Sequence, residues 1–170
     1  LLLCFVVTRH VGVAWVLTDS VHRSALLVLK GAAVHPGDLV VFAYGGEAIE
    51  GYYAESSWTR MLRAWGVEVP LAGPRRGEGF VKILKGLPGD RVEVQGQQVW
   101  LVHPGGVREY LGEWKSHSRR GVPLRPIASQ VIPPGQVYVW APHPDALDSR
   151  YAAVGLVSQR SIVGRGIALW

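Results

Sequence analysis

The stretch that decides the fold reads Phe80-Val81-Lys82-Ile83-Leu84-Lys85-Gly86-Leu87-Pro88-Gly89-Asp90-Arg91-Val92. Its first five residues are rich in β-branched and aromatic side chains, which predicts a strand, and the Pro-Gly-Asp segment predicts a tight turn into a second strand. Because side chains alternate between the two faces of a strand, Lys82 shares its face with Phe80 and Leu84. We therefore expect a desolvated lysine whose charged form is disfavoured by burial.

The rest of the sequence has the same strand-and-turn character. Short apolar runs are separated by breaks that contain proline or glycine, and this pattern is typical of β-structure. We predict a mainly β fold, an antiparallel and partly closed β-structure in one domain. The further predicted strands span residues 25–29, 39–44, 91–94, 98–103, 136–141 and 162–169.

Composition excludes several classes of protein. Of the 170 residues, 48% are hydrophobic and 18% are charged, which suits a domain with a core rather than a disordered chain. The single cysteine, Cys4, excludes an internal disulfide framework and a zinc site built from paired cysteines. The net charge of +5 comes from scattered basic residues, and the six histidines lack metal-ligand spacing. We therefore predict no nucleic-acid partner, no metal and no cofactor.

The N-terminal segment, residues 1–17, is apolar apart from Thr8-Arg9-His10, and the chain does not begin with methionine. A spanning helix needs about 20 apolar residues, so we expect this segment to be the remaining part of a truncated N-terminal membrane anchor. A buried strand or a core helix is the alternative, and a cleaved signal peptide is less favoured because no small-residue cleavage site follows. Residues 18–170 then form the β domain, with an insertion at about residues 45–79.

One helix is predicted inside the insertion, over residues 55–66. Trp58, Met61, Leu62 and Trp65 recur with the spacing of one helical face, and the last residue of the stretch is a glycine, which commonly ends a helix. The simplest interpretation is a short helix packed on the sheet. The alternative is that its tryptophans contact lipid headgroups, because tryptophan favours the membrane interface.

A serine and a lysine are the residues best suited to chemistry. Ser20 directly follows the apolar segment, and Lys82 lies on the apolar strand face. A neutral lysine amine can remove the proton of a serine hydroxyl, so this pair could act as nucleophile and base without a histidine. Taken alone, Lys82 is equally compatible with a lysine on an edge strand or one that extends its amine to solvent.

Several blocks of this sequence resemble the type I signal peptidases. Phe80 to Val92 resembles their lysine box, and Leu147-Asp148-Ser149-Arg150-Tyr151 with Val163-Gly164-Arg165-Gly166 resembles their C-terminal box. The start of the chain is similar to the conjugative-transfer, TraF-type branch in particular. The residues that carry this last similarity are Leu17-Thr18-Asp19-Ser20-Val21-His22-Arg23, Lys30-Gly31 and Pro36-Gly37-Asp38-Leu39-Val40-Val41-Phe42.

The resemblance implies a membrane-anchored serine endopeptidase of the signal peptidase and LexA-like fold type. It implies that Ser20 is the nucleophile and Lys82 the general base. Thr18 would supply a side-chain donor to the oxyanion hole, with the Ser20 backbone N–H as the second donor. Asp148 and Arg150 match the family's supporting pair near the dyad.

The sequence departs from the family pattern at three places. Ala146 stands where the family has a serine that helps to orient the lysine, and His22 stands near the place of the usual proline after the nucleophile. The third departure is the insertion at residues 45–79, to which we assign no function. Ser24 is a second candidate nucleophile, but Thr18 would then lie too far upstream for the oxyanion role.

The resemblance implies cleavage of signal peptides or pre-pilins at the periplasmic side of the bacterial inner membrane, through a single-pass anchor. Expected partners are precursor proteins with signal peptides, membrane lipid and components of a conjugation or type IV secretion apparatus. Pilin cyclisation is a further hypothesis for this branch. The alternatives are a general housekeeping signal peptidase, a self-cleaving LexA-like regulator, and a catalytically impaired scaffold domain.

Overall fold

The computed structural model describes residues 2–6, 10–16, 25–53, 61, 64–66 and 73–169. Within these residues the secondary structure is almost entirely β-strand, with a 3-10 turn at Gln159–Ser161. The strands are β1 (Leu2–Val6), β2 (Val11–Val16), β3 (Ala25–Lys30), β4 (Leu39–Ala43), β5 (Gly79–Gly86), β6 (Arg91–Gln95), β7 (Gln98–Val102), β8 (Arg108–Glu113), β9 (Gln130–Val131), β10 (Gln136–Trp140), β11 (Val157–Ser158) and β12 (Ile162–Ala168).

The prediction of a mainly β, antiparallel fold is confirmed. All seven strands expected from the sequence are present, with ends that differ by one or two residues at most. The sequence analysis missed β8, because its stretch Arg-Glu-Tyr-Leu-Gly-Glu is polar and contains only one fully buried side chain, that of Leu111.

The strands form two antiparallel sheets. The larger sheet has eight strands in the order β1-β2-β3-β12-β4-β5-β10-β11 and curls into a half-barrel, and the smaller one has four in the order β8-β7-β6-β9. β5 and β6 are consecutive in the chain and belong to different sheets, so the Leu87-Pro88-Gly89-Asp90 turn passes the chain from one sheet to the other.

Two Pro-Gly-Asp turns share one geometry. In each turn the aspartate N–H donates to the carbonyl oxygen three residues earlier, His35 for Asp38 and Leu87 for Asp90. The aspartate Oδ2 in return accepts the N–H of that same residue at 2.8 Å. The intervening glycine has φ of 93° or 96°, a backbone conformation open to glycine and required by this turn type. These bonds explain the structural role predicted for both aspartates.

The two faces of the large sheet pack into separate apolar clusters. Val40, Phe42, Phe80 and Leu84 belong to the cluster on the face that also carries Lys82. The opposite face contributes residues such as Val81 to a second cluster. A third cluster lies between the two sheets, where the Trp140 indole N–H donates to the Leu111 carbonyl oxygen at 2.7 Å.

The N-terminal segment expected to be a membrane anchor contains two strands. β1 pairs with β2 from Leu2 opposite Val16 to Val6 opposite Gly12, and β2 continues the ladder onto β3. The two apolar runs are five to six residues long, which is the length of a strand. A helical anchor is therefore not the conformation of the described part of residues 1–17, and attachment to a membrane stays a prediction. Among the described residues no helix is long and apolar enough to cross a bilayer.

Only the end of the predicted helix lies within the described residues. Met61 and Ala64 are helical, and the Trp65 N–H donates to the Met61 carbonyl oxygen at 3.2 Å. Gly66 follows with φ of 80°, as expected for a glycine that ends a helix. The Trp65 side chain is 68% exposed, so it does not pack on the sheet. Trp58 and Leu62 lie outside the described residues.

Gly164 lies where β12 passes closest to β3, and this closeness generates a stability prediction. A Cβ atom at Gly164 would lie 2.2 Å from the Leu29 carbonyl oxygen, which belongs to the backbone and cannot rotate away. We expect Gly164→Ala to lower the free energy of unfolding by at least about 2 kcal/mol, measured by urea denaturation. Gly45→Ala is the control, because nothing lies within 4 Å of its Cβ. Equal stability of the two variants would contradict the described pairing.

Candidate active site

The lysine singled out by the sequence lies on β5 with its side chain in the apolar core. Lys82 is directly opposite Val40 of β4 and is only 5% exposed. Its amine lies 5.5 Å from the centroid of the Phe80 ring, on the same strand face. The alternation of side chains predicted from the sequence therefore holds, and the lysine is buried rather than extended to solvent.

Burial changes the acidity of this lysine. Removal from water lowers the pKa of Lys82 from 10.5 to about 8, because the ammonium loses its hydration inside the apolar core. The Asp148 carboxylate favours the charged amine and the Arg150 guanidinium opposes it. These two charges act in opposite directions on Lys82, so desolvation remains the dominant cause. A substantial fraction of the amine is neutral near pH 8 and can accept a proton.

Asp148 and Arg150 form a buried bidentate ion pair. Arg150 Nε donates to Asp148 Oδ1 at 2.9 Å, and Arg150 Nη2 donates to Asp148 Oδ2 at 2.8 Å. Their residues are 0% and 2% exposed. The carboxylate also accepts the backbone N–H groups of Arg150 and Ala141, each at 3.0 Å. Both oxygens are thus fully used, as a buried carboxylate requires.

The guanidinium of Arg150 also holds backbone carbonyl groups around the pair. Its Nη2 donates to the His143 carbonyl oxygen at 3.1 Å, and its Nη1 lies 3.4 Å from the Glu113 carbonyl oxygen at the end of β8. One side chain therefore ties residues 141–149, which we call the catalytic loop, to the smaller sheet. Glu113 was not among the sequence candidates, because a backbone carbonyl carries no signal in a sequence.

Ser149 fixes the other end of the catalytic loop to β10. The Val139 N–H donates to Ser149 Oγ at 3.1 Å, and the Ser149 N–H donates to the Val139 carbonyl oxygen at 3.0 Å. Ser149 is completely buried. The sequence analysis quoted this serine within the C-terminal box but gave it no role. Its position between Asp148 and Arg150 is the signal that could have identified it.

Ala146 places a methyl group where the resemblance leads one to expect a hydroxyl. It is 4% exposed and packs in an apolar cluster with Val81 and Ala141. Its backbone N–H donates to the His143 carbonyl oxygen at 3.0 Å, which closes a turn within the catalytic loop. Ala146 therefore contributes packing and loop geometry and offers no hydrogen bond from its side chain.

One edge of β5 is open beside Lys82. β4 pairs with β5 from Gly79 to Ile83, whereas β10 pairs with it only at Ile83, Leu84 and Gly86. The Leu84 backbone groups bond towards β4, to Asp38 and Gly37, so by alternation those of Val81 point to the opposite side. Within the described residues no strand pairs with β5 at Val81 on that side. An extended peptide could add there as a further strand.

The structure brings together three of the sequence-predicted site residues, Lys82, Asp148 and Arg150. Ser20 and Thr18, with the neighbouring His22 and Ser24, lie outside the described residues. Within the described part of the chain no cluster of three or more His, Cys, Asp or Glu side chains could hold a metal ion.

Comparison with known proteins gives one finding. The family model described as signal peptidase, peptidase S26, matches residues 1–170. A search of curated proteins found no match to this chain.

Removal of the buried amine should change how stability depends on pH. The folded chain binds a proton at Lys82 with a pKa of about 8, and the unfolded chain with a pKa near 10.5. Between these pH values the unfolded state holds more protons, so stability should rise with pH by about 3 kcal/mol in total. We expect Lys82→Met to lack this rise in denaturation measured from pH 7 to 11, and to be no less stable than the wild type at pH 7.

Lys85→Met is the matched control for this measurement. Lys85 lies on the opposite strand face and pairs with Glu109, so its replacement should leave the rise in stability unchanged. A Lys82→Met variant with the wild-type pH dependence would mean that the lysine is hydrated in solution.

Proposed function

Because this chain belongs to the signal peptidase S26 family, we propose that it is a serine endopeptidase that removes signal peptides from exported precursors with a Ser20/Lys82 dyad. The observation that carries the proposal is the buried Lys82, whose pKa of about 8 lets its amine act as a base. A surface lysine would stay charged at this pH and could not accept a proton.

The proposed reaction is acyl transfer through a serine ester. Neutral Lys82 takes the Ser20 hydroxyl proton while Oγ attacks the scissile carbonyl carbon. The Thr18 hydroxyl and the Ser20 backbone N–H donate to the resulting oxyanion, and each such donor contributes about 3 to 4 kcal/mol in related sites. The Lys82 ammonium then protonates the leaving amine, and water hydrolyses the acyl-enzyme with Lys82 again as the base.

The open edge of β5 is the proposed binding place for the precursor. A substrate in extended conformation would pair with the backbone groups of Val81, one residue before Lys82. This register would bring the scissile bond close to the lysine amine. Small residues such as Ala-x-Ala before the scissile bond are expected, as in the family that the sequence resembles.

The Asp148–Arg150 pair supports the site without touching the substrate. It fixes the catalytic loop through four bonds to the carboxylate and several from the guanidinium. Its nearly balanced charges also keep Asp148 alone from stabilising the Lys82 ammonium. The pair would therefore keep the base both in place and available.

The substrate is proposed to be a pre-pilin or another precursor exported during conjugative transfer, processed on the periplasmic side of the bacterial inner membrane. The resemblance of residues 17–42 to the conjugative-transfer branch supports this proposal, and a general housekeeping peptidase is the alternative. A scaffold domain without activity is a second candidate function. The burial of Ala146 in an apolar cluster favours it, because the usual lysine-orienting hydroxyl is missing at that position.

The dyad predicts a defined set of variants. Ser20→Ala and Lys82→Met should each abolish cleavage of a signal-peptide precursor, measured by gel shift of purified substrate, while the circular dichroism spectrum stays unchanged. Ser24→Ala is the matched control and should retain activity. Activity of Ser20→Ala equal to the wild type would exclude this nucleophile, and an inactive wild type would favour the scaffold function.

The wild-type rate should also follow the ionisation of the lysine. The base works only when neutral, so kcat should rise with pH through about 8 and level off above it. Single-turnover cleavage from pH 6 to 10 measures this profile. A rate independent of pH over this range would contradict a lysine base.

The fate of the acyl-enzyme separates hydrolysis from pilin cyclisation. Attack by water gives a linear product, whereas attack by the substrate's own amino terminus gives a ring that is lighter by one water. Mass spectrometry of a processed pre-pilin distinguishes the two products. We expect the ring if the conjugative-branch proposal is correct, and a purely linear product would reduce the function to signal-peptide removal.

A further inference from the structure

The base of the insertion is clamped to the half-barrel. The Tyr44 N–H donates to the Glu78 carbonyl oxygen at 2.7 Å, and the Gly77 N–H donates back to the Tyr44 carbonyl oxygen at 2.8 Å. Gly46 passes so close to the backbone after the catalytic loop that a Cβ there would lie 2.1 Å from the Ala153 carbonyl oxygen. The two ends of the insertion are therefore held in fixed positions beside the site.

Tyr52 carries this rigid base to the catalytic loop. Its ring packs on the apolar cluster that contains Phe80 and Leu147. Its hydroxyl donates to the Asp145 carbonyl oxygen at 3.1 Å. Burial raises the pKa of Tyr52, so the hydroxyl stays protonated and remains a donor. This is the one described side-chain hydrogen bond from the insertion to the catalytic loop.

Asp145 receives bonds from a second direction as well. Its carboxylate pairs with Lys115 and Arg119, which lie beyond the end of β8. Its backbone N–H donates to His143 Nδ1 at 3.1 Å. The hydrogen bond to Lys115 is the main cause that lowers the pKa of Asp145. Asp145 is thus a junction between the insertion, the catalytic loop and the segment after β8.

We propose that the insertion positions the catalytic loop over Lys82, and that Tyr52 is the positioning residue through which it does so. The inference rests on the proposed function, because it gives the insertion a part in preparing the lysine base. Tyr52 touches neither substrate nor reacting atoms. Its hydroxyl holds the catalytic loop at Asp145, three residues before Asp148, and so keeps the loop closed on the apolar core.

The consequence is an effect on the lysine rather than on substrate binding. If the catalytic loop loosens, water reaches the Lys82 amine and the desolvation that lowers its pKa is relieved. The charged groups that act on Lys82 are Asp148 and Arg150, and those that face Tyr52 are Asp145, Asp148 and Arg150, together with the Tyr151 hydroxyl.

The test compares Tyr52→Phe with Tyr53→Phe in the full chain. The two variants remove the same hydroxyl from adjacent tyrosines, and no described hydrogen bond joins Tyr53 to the catalytic loop. The pKa of Lys82 is measured directly by NMR titration of ¹³Cε-labelled lysine. The chain contains only four lysines, at positions 30, 82, 85 and 115, and the Lys82→Met variant assigns the signal.

We expect Tyr52→Phe to raise the pKa of Lys82 from about 8 towards 10.5, and Tyr53→Phe to leave it unchanged. In cleavage assays below pH 8, Tyr52→Phe should lower kcat roughly three- to tenfold with little change in KM. A Tyr52→Phe variant with lower thermal stability but an unchanged Lys82 pKa has only a structural role, and that result overturns the inference.

The titration also separates this inference from the proposed function. If the wild type cleaves no precursor but Tyr52→Phe still raises the Lys82 pKa, the positioning role stands and the peptidase proposal fails. If the wild type cleaves precursors and neither variant moves the pKa or kcat, the peptidase proposal stands and the positioning role fails.

Discussion

The bidentate ion pair between Asp148 and Arg150 is the interaction on which the rest of the site depends. Two opposite charges can remain inside a protein only when each is fully hydrogen-bonded. Here the backbone N–H groups of Ala141 and Arg150 complete the carboxylate, and backbone carbonyl oxygens surround the guanidinium. The pair therefore fixes the catalytic loop, and it leaves little net charge to counter the desolvation of Lys82.

That desolvation in turn requires the half-barrel. Phe80 and Leu84 supply apolar surface along β5 itself, but a strand alone exposes both of its faces to water. Val40 on the neighbouring strand and Leu147 from the catalytic loop close the face around the amine. The chemistry thus depends on packing between segments that are more than 40 residues apart in the chain, and the insertion adds a further support at Tyr52.

The same packing explains how the chain differs from the family pattern that its sequence resembles. Ala146 replaces a hydroxyl by a methyl group within an apolar cluster, which favours a neutral amine but does not orient it. The catalytic loop is held instead by bonds from Ser149, Arg150 and Tyr52. Orientation of the lysine would then come from the closed loop as a whole.

The sequence by itself determined the strands, the Pro-Gly-Asp turns and the face of β5 on which Lys82 lies, because alternation and turn chemistry are local properties of the chain. It also identified the Asp-Ser-Arg block. It did not reveal β8, the strand pairing within residues 1–17, or the bond from Tyr52 to Asp145. Each of these is decided by hydrogen bonds between distant segments, and only the tertiary structure brings their donors and acceptors together.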